Sequence, residues 1–141
     1  MAVDRIYDLA LGQLFARALV AIARADEQIG LEEGLRLQQR IEARTGGPLA
    51  LDDLLLDEPL EPRALARLLR DAGDPFRSAG MHPRDLAAML IADGVIVALA
   101  KGYVADAEVD EIIRFASALG CPDDEIRAML ARVAPWLGTS G

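Results

Sequence analysis

The chain has 141 residues, 52% of them apolar and 27% charged, enough for one folded domain with its own core and unlike a disordered composition. Aromatics make up only 4%, so Leu, Ala, Ile and Val have to fill that core. The 23 acidic residues outnumber the 15 basic ones, giving a net charge of −8 and a pI of about 4.6; this disfavours nucleic acid, whose phosphates need surplus Lys and Arg, and favours cations or basic protein surfaces as partners.

Leu11, Phe15, Leu19 and Ile22 recur at helical spacing and predict a first helix from Ala2 to about Ala25, one face on a core. The loop Asp26 to Gly30 leads into a second helix, about Leu31 to Thr45, which Gly46-Gly47-Pro48 terminates. Asp52 to Asp57 reads as a short helical turn bounded by Pro59. Glu61-Pro62-Arg63 opens the next helix, with Leu65, Leu68 and Leu69 turned inward until Gly73, and Asp74 to Gly80 reads as a linker.

His82-Pro83 starts a central helix that runs to about Ala100, apolar nearly all round and therefore expected to be enclosed by the others. Its apolar run is shorter than the roughly 20 residues needed to span a bilayer and is broken by Asp93-Gly94, so no direct membrane insertion is expected. After the loop Lys101 to Ala105, a helix from Asp106 to Leu119 places Val109, Ile112, Ile113, Ala116 and Leu119 on one face and stops at Gly120. A last helix starts at Pro122, with Asp123, Asp124 and Glu125 in the positive field of its N-terminus, and carries Ile126, Met129, Leu130 and Val133 up to Pro135-Trp136. No segment alternates as a strand would. The expected fold is all-α: a compact bundle of about seven helices forming a single domain over residues 1–137, with a flexible tail at 138–141.

Two of the loops echo one another. Ala25-Asp26-Glu27-Gln28-Ile29-Gly30-Leu31-Glu32-Glu33 has a degraded copy at Ala100-Lys101-Gly102-Tyr103-Val104-Ala105-Asp106-Ala107-Glu108, 75 positions on. The expectation is a pair of pseudo-repeated helix–loop–helix hairpins, with Ile29 and Val104 buried under their loops. Asp26, Glu27, Glu32 and Glu33 are close enough in sequence to converge on a hard cation such as Ca2+ or Mg2+, which takes oxygen ligands. The structural alternative is that Glu33 and Glu108, each three residues after its helix's cap position, reach back to a backbone N–H in half of a capping box. Neither loop has the alternating ligands and set glycine of an EF-hand. Lys101 stands where the first copy has Asp26, so the first loop is the better cation candidate.

Asp93 shares its helical face with Met89, Leu90, Ile96 and Val97, and a carboxylate there needs a partner; Arg17 or Arg24 of the first helix would supply one. The alternatives are a functional carboxylate with a shifted pKa and a side chain that simply reaches solvent. His82 is a helix-entry residue with no second histidine to build a metal site. Cys121, the sole cysteine, precedes a helix N-terminus, where a thiol pKa can fall, but no histidine is placed to serve as its base and it reads as a small core residue.

The first loop after its Ala-rich helix resembles the TerB-like family, named for tellurite resistance, whose pattern is Ala-Asp-Gly, any residue, Ile, a small residue, two more, then Glu. Here Glu27 replaces the glycine and Gly30 the small residue; in the second copy Gly102, Val104 and Glu108 match and Lys101 departs. The resemblance implies a helical bundle with an approximate two-fold duplication, Asp26, Glu33 and Glu108 as metal-binding positions, and a role as an acidic docking module in bacterial stress response, in some cases beside membrane-associated partners. The expected function is therefore non-enzymatic binding of a protein with a basic surface, linked to a divalent cation if the loop acids are ligands. Alternatives are a small enzyme that uses Asp93, or an interaction module in which the acids are purely structural. The N-terminus lacks the basic start and apolar core of a secretory signal, so a cytoplasmic monomer or weak dimer is expected.

Overall fold

The computed structural model describes residues 9–25, 29–45, 60–72 and 83–134. Among these are six α-helices and no strand: α1 (Leu9–Ala23), α2 (Leu31–Thr45), α3 (Pro62–Ala72), α4 (Pro83–Ala98, extended by a 3-10 turn Leu99–Lys101), α5 (Asp106–Ala118) and α6 (Asp123–Val133). The seventh helical element expected from sequence, Asp52 to Asp57, lies outside the described residues, as does His82.

Their packing forms a compact bundle in which α4 touches α1, α2, α5 and α6. The low amphipathicity of α4 accounts for this: Leu86, Ala87, Leu90, Ile91, Val95, Val97 and Ala98 point in several directions and are all buried. The first helix is enclosed to the same degree, beyond the one-sided burial its leucine spacing predicts. Ala16, Ala18, Ala21 and Ala23 are buried along with Phe15, Leu19, Val20 and Ile22, because alanines let neighbouring helices close in on the sides that the large residues leave open.

Two contacts fix the direction of α2. The Arg36 guanidinium donates to the Ile96 carbonyl at 3.5 Å, and Arg40, one turn further on, reaches Asp93 at 3.0 Å. As α2 advances α4 recedes, so the two are antiparallel. Since α2 also folds back on α1 through a short connection, α1 and α4 run the same way and both hairpin loops open at one end of the bundle.

Burial follows the same spacing of 75 positions as the loops. The inward stripe of α2, Glu33, Leu37 and Ile41, corresponds to Glu108, Ile112 and Ala116 of α5. Phe15, Ala16 and Ile22 of α1 correspond to Leu90, Ile91 and Val97 of α4, again all buried. Leu19 corresponds to Gly94, where a methyl group would come within 3.1 Å of Ile112; the missing side chain is what lets α5 approach α4 so closely.

The inward faces differ from the sequence expectation at several positions. In α5, Phe115 is fully buried and Val109 and Ile113 only half-buried, so the stripe runs through 108, 112, 115, 116 and 119. In α3, Leu65 and Leu69 are buried while Leu68 is 40% exposed. Ile29 and Val104 pack against the core but stay half-buried.

Between α5 and α6 the chain makes a Schellman turn. Gly120 takes φ +94°, its N–H donates to the Ser117 carbonyl at 3.0 Å, and the Cys121 N–H donates to Ala116 at 3.1 Å. That geometry calls for an apolar residue directly after the glycine, and buried Cys121 is that residue.

Candidate functional site

Of the three metal candidates, Asp26 lies outside the described residues; Glu33 and Glu108 are both described and both turned inward. Glu108 is fully buried, and its Oε1 accepts the Ala105 N–H at 3.0 Å. Glu33 is 3% exposed and accepts the Gly30 N–H at a longer 3.4 Å. Each carboxylate closes the turn ahead of its own helix, three residues back, and heads that helix's buried stripe. Neither Gly30 nor Ala105 can supply the reciprocal side-chain oxygen, so each is half of a capping box. The favourable field of the helix N-terminus adds to the hydrogen bond and offsets the cost of burying the acid.

Among the described residues, no group of three or more His, Cys, Asp or Glu side chains is placed to hold a metal ion. Within the described residues, Glu33 and Glu108 each act as the cap of their own helix.

Asp93 is fully buried, and its partner is Arg40 of α2 rather than Arg17 or Arg24 of the first helix. Arg40 Nε donates to Asp93 Oδ1 at 3.0 Å and Nη2 stands 3.0 Å from the same oxygen. Helical wheel spacing places Asp93 inside but cannot say which neighbour crosses it. That depends on the register of α2 against α4. The ion pair joins α2 to α4; the positions 75 residues on from Arg40 and 75 residues back from Asp93 are Phe115 of α5 and Ala18 of α1, both buried and both apolar.

Glu111 is unlike the neighbouring acids Asp106 and Asp110 of α5. Its Oε1 is buried without a hydrogen-bond donor, and Arg114 approaches only to 3.9 Å. Burial raises the Glu111 carboxyl above the usual carboxylate range; Arg114 opposes the shift and Glu61 at the head of α3 reinforces it. The position 75 residues earlier is Arg36, which donates to the Ile96 carbonyl at the end of α4.

The other acids among the described residues are solvent-facing. Asp106 and Asp110 are exposed on α5; on α6, exposed Asp123 pairs with Arg127 at 3.0 Å and Glu125 with Arg84 at 3.5 Å. Burial pushes the Cys121 thiol up, Glu125 adds to that and Arg84 opposes it, the reverse of an activated thiol. No described helix is long and apolar enough to cross a membrane.

Comparison with family models, with curated proteins and with solved structures returned no match to this chain.

Proposed function

We propose that this protein is a non-enzymatic, TerB-like docking module of bacterial stress response: a bundle built from two duplicated hairpins that presents an acidic exterior to a basic protein surface. The observation that carries this reading is the division of labour among the acids. Glu33 and Glu108 close their own helices and Asp93 is held by Arg40, while Asp106, Asp110, Asp123, Asp124 and Glu125 point outward. The buried acids serve the fold, and the exposed ones are left for a partner.

The duplication is supported by the shared 75-residue spacing of burial, helix starts and caps. Against the enzymatic alternative stands the engagement of Asp93, the acid it would require, with a guanidinium. The cation-linked version of docking rests on Asp26 joining Glu33, and Glu33 already has its backbone partner.

Thermal unfolding with and without millimolar Ca2+ or Mg2+ tests the role of the acids. Melting temperature should be unaffected by either ion, and affinity capture from the producing cells should recover a basic protein that is lost when Asp106, Asp110, Asp123 and Asp124 are changed to Asn. A divalent-dependent rise in melting temperature that Asp26→Asn removes would instead mark the first loop as a cation site, because a ligand of the folded state stabilises it by mass action.

A further inference from the structure

The outward face of α2 breaks the correspondence between the two halves. Leu31 is 81% exposed and Leu35, one turn on, 59% exposed, on the side of α2 opposite the stripe Glu33, Leu37 and Ile41. The corresponding positions of α5, also exposed, are Asp106 and Asp110. A bundle that accepts aspartate at these places in one half has no packing need for leucine in the other.

Among the described residues, little crowds the surface beside the leucines. A methyl group at Gly30 would meet nothing within 4 Å, and one at Gly34 would meet only Ile29 Cγ2 at 3.9 Å. Their counterparts, Ala105 and Val109, carry side chains. Leucines spaced i, i+4 next to two glycines form a helical edge that a second helix can approach closely and clasp with its own apolar stripe.

We infer that Leu31 and Leu35 form a docking surface for a basic amphipathic helix of a partner protein, an assignment that rests on the docking function proposed above. Charge selects this occupant over a second copy of the chain: two copies would each bring a net charge of −8, whereas a helix with Lys or Arg flanking its apolar stripe is attracted by that field and finds exposed Glu32 directly beside Leu31, while Arg36, beside Leu35, is turned to the Ile96 carbonyl.

The test titrates 15N-labelled protein with a synthetic leucine–lysine amphipathic helical peptide and follows amide shifts and affinity. In the wild type the shifts should centre on residues 31–38. The pair Leu31→Asp with Leu35→Asp installs the residues of the other half and should weaken binding about tenfold or more, despite two added negative charges, because two partly buried leucines are lost. Leu31→Gln with Leu35→Gln should weaken it similarly, and keeps the test decisive if the aspartates disturb folding. Equal or tighter binding by the variants, or shifts centred on Asp106, Asp110 and α6, would overturn this surface while leaving an acidic docking module in place. No peptide binding by the wild type would overturn both, and concentration-dependent self-association lost in the variants would assign the face to a second copy instead.

Discussion

Arg40 and Asp93 can be exchanged for Phe and Ala, the residues found 75 positions on from Arg40 and 75 positions back from Asp93, and the outcome measures what this ion pair contributes. Asp93 is fully buried and Arg40 keeps 23% of its side chain exposed, so the two members are not equivalent. Arg40→Met leaves a carboxylate in the core without its guanidinium and should cost about 3–5 kcal/mol. Asp93→Ala leaves a guanidinium that can swing toward solvent, and should cost less, about 1–2 kcal/mol, for the lost charge-assisted hydrogen bond. The double variant Arg40→Phe with Asp93→Ala recreates the Phe115 and Ala18 combination, and should lie within about 1 kcal/mol of wild type, since a buried ion pair replaced by packed apolar groups is often neutral. Urea unfolding followed by far-UV circular dichroism at neutral pH gives all the required free energies. If Arg40→Met costs under about 1 kcal/mol, or if the double variant loses as much as the two single changes together, the ion pair is not compensating a buried charge and the comparison between halves is wrong.

Three further expectations concern stability. Glu108→Ala and Glu33→Ala should each cost about 0.5–2 kcal/mol in urea unfolding, with Glu108 the larger because its hydrogen bond is shorter, 3.0 Å against 3.4 Å, and with no change on adding Ca2+ or Mg2+. The carboxyl of Glu111 is raised in the folded state, so its unfavourable contribution is absent below its unfolded pKa and sets in as pH rises through the folded one. Glu111→Gln should therefore stabilise at neutral pH and leave stability at low pH nearly unchanged; melting curves from acid to neutral pH that run parallel for the two proteins would contradict this. Gly94→Ala improves helix propensity but brings a methyl within 3.1 Å of Ile112 Cδ1 and Cγ1 and 3.4 Å of Ile22 Cγ2. A net loss of about 1 kcal/mol is expected, partly restored by Ile112→Val, and a gain in stability from Gly94→Ala alone would mean that Ile112 gives way freely.

What the sequence by itself determined is local. Helix starts and ends follow from Pro62, Pro83 and Pro122 near N-termini and from Gly120 after α5, and the caps follow from glutamates three residues into α2 and α5. All of these depend on groups within a few positions of each other, which backbone geometry brings together whatever the rest of the chain does. The repeated spacing is legible for the same reason, since the same local pattern is written twice. The tertiary structure decided which faces meet. Asp93 needs a cationic partner, for which the sequence points to Arg17 or Arg24 of the first helix; Arg40 becomes that partner only when α2 is laid antiparallel on α4, 53 positions away. Phe115 joins the core and Leu31, Leu35 and Leu68 stay outside it because helix rotation is set by the sum of the contacts around each helix, not by the hydrophobicity of one residue. The role of each carboxylate is decided at that level too: Glu108, Asp93, Glu111 and Asp110 are the same chemistry in sequence, and become a cap, an ion-pair member, a half-buried acid with a raised pKa and a surface charge through the neighbours that the bundle places beside them.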